Sequence, residues 1–319
     1  MTEILTELPG APPRTFLDFP FVEDLDALDA DIAILGIPFG MPYDSSAMAN
    51  DQSRAPDAIR QAPEPLDVEY TRRHFDWDLG GPLLDGQDVR VVDCGNVTAD
   101  RHDHREHYRR AEGAVRKILA ANAVPVILGG DHGVPIPVMR ALEALGTRIT
   151  LVHVDAHLDW REEINGEREG YSSPIRRASE MAWFDKIIQI GMRGIGSART
   201  REVEDARAYG ADIITAYEMH EAGMDAVLDR IPSGGPYYLT IDADGIDPTI
   251  MPAVMAPTPG GLDWLQIRKL IHGLVAKGRV LGMDLVEIAP GRDVGNVSMI
   301  HAERLICNFI GATVRAGYY

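Results

Sequence analysis

The chain has 319 residues, of which 49 are acidic and 31 basic, giving a formal net charge of −18. This excess excludes nucleic acid and anionic membranes as partners, because both interactions depend on Lys and Arg, but it suits a small cationic substrate. The acidic segment 1–7 does not resemble a basic signal peptide, and no run reaches the roughly 18 apolar residues of a membrane span. We therefore expect a cytoplasmic protein, with Cys94 and Cys307 as reduced core thiols.

Apolar runs alternate with segments of helical composition along the chain. The predicted strands are 32–37, 89–92, 124–128, 150–154, 186–190, 213–215, 237–241 and 279–285. The predicted helices are 104–122, 138–145, 199–209, 219–230, 262–276 and a last one that begins at 298. Such alternation is typical of βαβ units, so it predicts an α/β fold with one mostly parallel sheet of about eight strands, covered on both faces.

The first 30 residues differ in composition from the rest. They contain four prolines within a short stretch, at positions 9, 12, 13 and 20. Because proline removes a hydrogen-bond donor and fixes φ, we expect residues 1–30 to form an irregular arm with a packing or oligomer role. Residues 31–319 show no linker and are expected to form a single domain.

Acids and imidazoles follow three of the predicted strands. His132 follows the third strand, a second group follows the fourth, and a third group ends the seventh. The second and third groups are Asp155, His157, Asp159, Asp242 and Asp244. In an extended chain, residues two apart point the same way, and parallel sheets build their sites at the carboxyl ends of their strands. We therefore expect these six side chains to converge.

Four carboxylates cannot share a pocket without neutralisation, since burying unpaired like charges is costly. Two divalent cations would remove that cost, and this donor set suits Mn²⁺, with Ni²⁺, Co²⁺, Zn²⁺ and Fe²⁺ as alternatives. Asp155 and Asp242, nearest the strand ends, are the natural bridges between the two ions. The remaining ligands would pair as His132 with Asp159 and His157 with Asp244.

The motifs that contain these residues also resemble those of a known family. The chain is similar to the ureohydrolases, that is, the arginase and agmatinase amidinohydrolases, and most resembles the agmatinase branch. The matching motifs lie at 36–44, 55–60, 129–133, 155–159, 242–248 and 282–290. The resemblance implies a three-layer α/β/α fold, two Mn²⁺ per subunit held by the six ligands above, and homo-oligomers that are usually trimers or hexamers. It also implies hydrolysis of a guanidinium group to urea and an amine, with Asp159 at the reaction centre and Glu287 binding the guanidinium.

One position departs from the family pattern. Tyr171 stands where the family commonly has a histidine proposed to shuttle protons, and tyrosine, with a pKa of about 10, is a poorer shuttle at neutral pH. We expect Tyr171 to take part in catalysis, and Asn165 and Ser173 to contact the substrate. The loop 162–170 is also atypical, so the identity of the substrate is left open.

Several functions fit these residues. The leading one is an agmatinase-like, metal-dependent hydrolase that cleaves the C–N bonds of linear amidines, which are not peptide bonds. Its substrate would be agmatine or a similar guanidino compound. Free guanidine, an alkylguanidine or a biguanide is the alternative substrate, and Ni²⁺ the alternative metal. A second class is a non-catalytic supporting subunit in a hetero-oligomer with an active paralogue. A third is an amide hydrolase of the deacetylase type, which uses one zinc.

Other polar residues near the motifs are expected to be structural. We interpret His153 as a core histidine, Asp131 and Asp284 as residues that support ligands, and Asp247 as a turn residue. The histidine-rich run 102–107 opens a polar helix and is expected to be solvated. Four methionines in loops around the presumed pocket could line an apolar tail site, although gap filling is the default: Met41, Met48, Met251 and Met255.

Overall fold

A computed structural model describes residues 14–44, 50–100, 103–195 and 198–319. Eight strands form one sheet, and every neighbouring pair is parallel. The strands are β1 (Ile32–Ile37), β2 (Val91–Asn96), β3 (Val124–Gly129), β4 (Ile149–Val154), β5 (Phe184–Met192), β6 (Asp212–Thr215), β7 (Tyr237–Asp242) and β8 (Val280–Val286). The predicted eight-stranded α/β fold is confirmed, and the sheet is entirely rather than mostly parallel.

Ten α-helices connect and cover these strands in the described part of the chain. They are α1 (Ala55–Gln61), α2 (Pro65–Arg73), α3 (His104–Ala120), α4 (Pro135–Ala141), α5 (Pro174–Ala178), α6 (Thr200–Tyr209), α7 (Ala216–Ala222), α8 (Met224–Arg230), α9 (Trp264–Lys277) and α10 (Val297–Arg315). The single helix predicted over 219–230 is instead two helices. Gly223 separates them at φ 81°, a left-handed conformation that glycine adopts readily.

The two faces of the sheet pack against different helices. In β1, Ile32 and Ile34 belong to one buried apolar cluster, which also contains residues of α1, α7, α8, α9 and α10. Ala33 and Leu35 point to the other face and join a second cluster with residues of α3, α4, α5 and α6. This alternation follows from the period of two in a strand. The result is three layers, α/β/α, as the family resemblance implies.

The order of the strands decides where a site can form. It is β2-β1-β3-β8-β7-β4-β5-β6, so β7 and β8 lie between β3 and β4. The carboxyl ends of β3, β8, β7 and β4 are therefore consecutive at one edge of the sheet. These are the strands that the predicted ligands and Glu287 follow.

Residues 14–30 contain two short 3₁₀ turns, Phe16–Asp18 and Leu25–Ala27, and no strand or α-helix. The segment packs on the sheet, since Phe16 is buried and its backbone N–H donates to Asp93 Oδ2 at 2.7 Å. Asp93 also accepts two hydrogen bonds from the fully buried guanidinium of Arg60, at 2.8 and 2.9 Å. Residues 1–13 lie outside the described residues, and the division into arm and domain stays a prediction.

The expectation for the run 102–107 is wrong at its last residue. His107 is fully buried, and its Nε2 lies 2.8 Å from the carbonyl oxygen of Phe39. The side chain fills the space between α3 and the chain after β1, so burial of this helix face outweighs the polar composition. His102 lies outside the described residues.

Cys94 and Cys307 are buried and unpaired with each other, as expected. Among the helices that the structure describes, none combines the length and the apolar character that a membrane span requires.

Candidate active site

The side chain of His132 is the centre of a cluster of acids at the carboxyl edge of the sheet. Its Nδ1 lies 2.9 Å from Asp159 Oδ2 and 3.1 Å from one oxygen each of Asp155 and Asp242. All four side chains are buried. Three carboxylates from the ends of two strands thus meet one imidazole nitrogen that follows a third.

A second group lies beside the first and shares Asp155 with it. His157 Nδ1 is 3.3 Å from Asp155 Oδ1 and 3.2 Å from Asp244 Oδ2. Asp155 therefore faces His132 with one oxygen and His157 with the other. The backbone N–H of Asp244 donates to Asp242 Oδ1 at 2.8 Å, which holds these two carboxylates in one turn. The structure brings all six predicted ligands together, and their role as metal ligands remains a prediction.

A hydrogen-bonded chain orients the ring of His132. Thr240 Oγ1 donates to Asp284 Oδ1 at 2.6 Å and lies 3.2 Å from His132 Nε2. Because the hydroxyl proton is already given to Asp284, the hydroxyl oxygen accepts from Nε2–H, and Nδ1 then carries the free lone pair. That buried Nδ1 has no hydrogen-bond partner with acceptable geometry in the structure. An oriented lone pair facing carboxylate oxygens is what a cation site requires.

His153 supports the cluster from inside β4. Its Nε2 lies 2.9 Å from Asp155 Oδ2, and its Nδ1 lies 3.2 Å from the side-chain amide of Gln189. The amide can only donate to Nδ1, so Nε2–H donates to Asp155. Both nitrogens are thereby engaged, although His153 shares a possible cation cluster with His132, Asp155 and Asp159.

The charges of the cluster conflict in the absence of a cation. Burial, followed by repulsion from Asp244 and Asp155, raises the pKa of Asp242 well above its usual value. Burial and then the charge of Asp155 also raise the pKa of Asp159. Burial opposes protonation of His157, but its contacts with Asp155 and Asp244 outweigh burial and raise its pKa to about 12. A divalent cation would relieve this conflict, since it favours the ionised carboxylates and the neutral imidazoles.

Arg193 is a buried arginine beside the acid cluster. Its guanidinium donates to backbone carbonyls around the site. The accepting carbonyls belong to Thr258, Pro259, Gly191, Gly245 and Asp244. Arg193 thus ties together the loops that follow β5 and β7. The charge of Arg193 attracts Asp244, Asp155 and Asp242, but its hydrogen bonds in the described part of the chain go to carbonyls and not to these carboxylates.

Glu287 lies directly beside the cluster, one residue after β8. Its Oε1 accepts the backbone N–H of His132 at 2.8 Å, and its Oε2 accepts from Gln52 Nε2 at 3.0 Å. Its φ of 65° turns the chain away from the strand direction. Burial, followed by repulsion from Asp131, raises the pKa of Glu287 to about 8. Each carboxylate oxygen retains a second lone pair for a ligand.

A cavity of about 440 Å³ opens above the cluster and Glu287. Its polar lining residues are Asn50, Gln52, His157, Asp159, Ser172, Asp242, Asp244 and Glu287. Its remaining lining residues, which are apolar or aromatic, are Pro42, Tyr171, Ile195, Met255 and Ala256. The cavity therefore joins an acidic floor to an apolar rim.

The comparisons with known proteins agree with this arrangement. Residues 30–311 match the model of the arginase family. The chain belongs to the arginase family. A guanidinobutyrase from Pseudomonas aeruginosa is 30% identical over 300 residues, which cover 91% of this chain and 89% of the relative. An agmatinase from Escherichia coli is 31% identical over 282 residues, which cover 87% and 85% of the two chains.

The fold of a solved relative agrees as well. The structure of proclavaminate amidino hydrolase from Streptomyces clavuligerus has a TM-score of 0.82 to this chain at 26% identity, and the match covers 96% of this chain and 98% of that one. The protein is therefore an amidinohydrolase of the arginase family, a hydrolase of guanidino C–N bonds. Its His and Asp cluster is one that can bind metal.

Tyr171 lines the cavity of this arginase-family chain, and the Tyr43 ring supports it. The two ring centroids are 4.9 Å apart with an interplanar angle of 66°. Tyr43 also packs against Gly170, where an added Cβ would lie only 2.3 Å from its ring, so glycine is required there. Burial, followed by the charges of Asp131, Glu287 and Asp159, raises the pKa of Tyr171. The phenol therefore stays protonated at neutral pH.

The structure does not bring Ser173 or Asn165 to the cavity. Ser173 is fully buried, and its hydroxyl bonds to Tyr43 Oη at 2.8 Å; its neighbour Ser172 lines the cavity instead. Asn165 is exposed, and with Gly166 it forms a tight turn in which both residues have positive φ. Reciprocal backbone bonds of 2.9 Å between Ile164 and Glu167 close the turn. Asn-Gly is preferred there for its backbone. Neither Ser173 nor Asn165 lines the cavity, and their contact with a substrate stays a prediction.

Sequence reasoning overlooked several residues that shape the site. Gln52, Asn50 and Ile195 line the cavity, but none belongs to a catalytic motif. Gln52 lies in a short 3₁₀ helix, Asp51–Arg54, that Asn50 caps, and Ile195 lies in the loop after β5. Met255 also lines it, whereas Met41 and Met251 are buried and Met48 lies outside the described residues. No signal in a single sequence separates a cavity-lining methionine from a gap-filling one.

Proposed function

We propose that this protein is a binuclear manganese amidinohydrolase that hydrolyses a small guanidinium cation to urea and an amine. One observation carries the proposal: the Glu287 carboxylate and a cluster of buried carboxylates and imidazoles form the floor of the same cavity. A guanidinium is a planar cation with several donors, and a carboxylate pairs well with it. The cluster beside it supplies what hydrolysis needs, a site for cations.

The residues present fit two cations. The lone pair of His132 Nδ1, buried without a hydrogen-bond partner, faces Asp155, Asp159 and Asp242, which together would hold one ion. The second ion would be held by His157 and Asp244 together with Asp155 and Asp242, the two carboxylates expected to be shared by both ions. When bound, the ions would lower the pKa of a water molecule and supply a nucleophile at neutral pH. The mixed oxygen and nitrogen donors suit Mn²⁺, and Ni²⁺ is the alternative.

The protein's own side chains orient the substrate. Glu287 would accept the guanidinium N–H groups with the lone pairs that Gln52 and the His132 backbone leave free. Asp159 lies at the cavity floor, where it would take a proton from the attacking water and return it to the leaving amine nitrogen as the C–N bond breaks. Tyr171, whose raised pKa keeps its hydroxyl protonated, would donate a hydrogen bond to the leaving amine.

A substrate panel tests the proposal. Purified protein loaded with Mn²⁺ or Ni²⁺ should release urea from at least one compound among agmatine, alkylguanidines, guanidine and biguanides, with two metal ions per chain by elemental analysis. Asp242→Ala should lower the rate by about 100-fold or more, since removal of supporting residues alone costs 10- to 100-fold. Asp225→Ala, an exposed acid on α8 outside the cavity, is the control and should change neither rate nor metal content.

The panel also separates the alternatives. Absence of urea from every compound, with two ions bound, would contradict hydrolysis and favour a supporting subunit. One ion per chain would favour the deacetylase type of site. We further propose that the protein is cytoplasmic and forms a homo-oligomer, a trimer or hexamer. Light scattering of the purified protein measures the subunit count. A hetero-oligomer with a paralogue is the alternative.

A further inference from the structure

We propose that the cavity selects guanidines whose substituent is uncharged and apolar, such as an N-alkylguanidine, and that Tyr171, Ile195 and Met255 form the subsite for this tail. The inference rests on the proposed function, because it takes Glu287 as the residue that binds the guanidinium. It adds the substrate class, which neither the acid cluster nor Glu287 determines.

The acidic groups of the cavity are all assigned to its floor. Asp159, Asp242 and Asp244 belong to the two cation groups, and Glu287 is beside them. No other carboxylate lines the cavity among the described residues. An ammonium group at the far end of a substrate would therefore find no free acid to pair with.

A carboxylate at that end would find no base either. No Lys or Arg lines the cavity in the part of the chain that the structure describes. The guanidinium of the nearby Arg193 donates its hydrogen bonds to backbone carbonyls. Arg292 donates to the carbonyls of Val254 and Met255. Of the segments outside the described residues, 45–49 and 196–197 adjoin the cavity-lining residues Asn50 and Ile195 in sequence, and they contain only Ser, Ala, Met and Gly. The other two such segments, 1–13 and 101–102, do contain charged residues.

The rim offers apolar surface instead. Met255 is 42% exposed and Tyr171 43% exposed, and Ile195 is fully exposed, so all three can contact a ligand. The Tyr43 ring, which itself packs against Gly170, contacts the Tyr171 ring edge to face. Burying an alkyl tail against these groups gains about 25 cal/mol per Å² of apolar area, whereas a charged tail loses hydration without a partner.

Three compounds of similar length and different termini test the inference: n-butylguanidine, agmatine and 4-guanidinobutyrate. They end in a methyl, an ammonium and a carboxylate group. For urea release by the Mn²⁺-loaded protein, we expect kcat/KM to be highest for n-butylguanidine, by about tenfold or more. Binding affinity, measured by calorimetry with the metal-stripped protein in which no turnover occurs, should rank the compounds in the same order, so that n-butylguanidine has the lowest Kd.

Charge substitution at the rim provides the matched variants. Met255→Glu places a carboxylate beside the tail and should shift the ratio of kcat/KM for agmatine over n-butylguanidine upward by about two- to fivefold, as expected for an exposed pair. The shift should shrink at high salt. Leu265→Glu adds the same charge to an exposed apolar residue on α9 that does not line the cavity, and it should leave the ratio unchanged.

The outcomes separate the two proposals. Urea release with agmatine or 4-guanidinobutyrate preferred would overturn the inference and leave the proposed function intact. Tighter binding of n-butylguanidine without urea from any compound would support the tail subsite and contradict the proposed function. Equal binding of all three compounds, or none, would overturn the inference.

Discussion

Glu287 Oε1 accepts the backbone N–H of His132 at 2.8 Å, although the two residues are 155 positions apart in the chain. The backbone N–H of Glu287 in turn donates to the carbonyl of Gly130 at 2.8 Å. These bonds join the segments that follow β3 and β8 beyond the ends of the strands. The residue proposed to bind the guanidinium and a residue proposed to bind metal are therefore positioned by one another.

Glu287→Gln should remove the charge that pairs with the guanidinium and keep the shape of the side chain. We expect kcat/KM to fall on the order of 100-fold or more, because losing one partner of a buried charged pair costs about 2–5 kcal/mol. Metal content should stay at the wild-type level. Glu303→Gln alters another buried glutamate, on α10, and should leave kcat/KM unchanged. Equal kinetics for wild type and Glu287→Gln would exclude Glu287 as the guanidinium ligand.

Thr240→Val should loosen metal binding without removing a ligand. The substitution deletes the hydroxyl between His132 and Asp284, and loss of such a supporting group lowers metal affinity by about 10- to 100-fold. Competition with a chelator measures the affinity, and saturating metal should restore most of the activity. Thr313→Val removes a buried hydroxyl on α10 that donates to the Ile310 carbonyl, so it controls for burial alone. Matching affinities in both variants would count against the orienting role of Thr240.

Arg60→Met should destabilise the fold at a residue that does not line the cavity. Arg60 and Asp93 are both fully buried, and the substitution leaves the Asp93 carboxylate without its guanidinium. Breaking a buried pair costs about 3–5 kcal/mol, which urea denaturation followed by circular dichroism would measure. Arg73→Met, which breaks an exposed pair with Glu69 on α2, should cost less than about 1 kcal/mol. A loss of that small size for Arg60→Met would show that Asp93 is satisfied by other donors.

His107 should make stability depend on pH. Burial lowers its pKa, against the opposing hydrogen bond to Phe39, while the unfolded chain keeps a pKa of about 6.5. As pH falls below about 6.5, His107 becomes protonated in the unfolded state but stays neutral in the folded state. The free energy of unfolding therefore decreases, by at most about 1.4 kcal/mol per pH unit, until the lower folded pKa is reached.

The variant His107→Gln lacks this titration. The difference in unfolding free energy between wild type and His107→Gln should shrink as pH drops from 7.5 to about 5.5, and it should be constant above pH ~7. The other histidines cancel in the difference. Arg110 and His104, which face His107, are unchanged in both proteins. Parallel pH profiles would contradict a lowered pKa for His107.

The sheet could be predicted because its signals are local. Each strand is a short apolar run bounded by polar residues, and every predicted strand overlaps an observed one. The short helices α1, α2 and α5 were not predicted, since five to nine residues carry too little periodicity. Strand order is a property of long-range packing, so the sequence could not show that β7 and β8 lie inside the sheet.

The six predicted ligands come together, but part of the reasoning for them fails. An extended chain through Asp159 would point its side chain the same way as Asp155, but β4 ends at Val154 and Asp159 has a φ of 50°. The loop after β4, rather than the strand itself, places Asp159 Oδ2 2.9 Å from His132 Nδ1. Residue types indicated which side chains converge in the cluster. Ser173 and Asn165 do not line the cavity, because side-chain direction in a loop depends on neighbours such as Tyr43.

The central position of β7 and β8 has a consequence for synthesis on the ribosome. Until residues 237–286 have emerged, the earlier strands can form only two separate three-stranded sheets, β2-β1-β3 and β4-β5-β6, whose inner edges lack their partners. Unpaired edges of this kind recruit other chains. A nascent chain stalled before residue 237 should therefore depend on chaperones and aggregate without them, however stable the finished enzyme is.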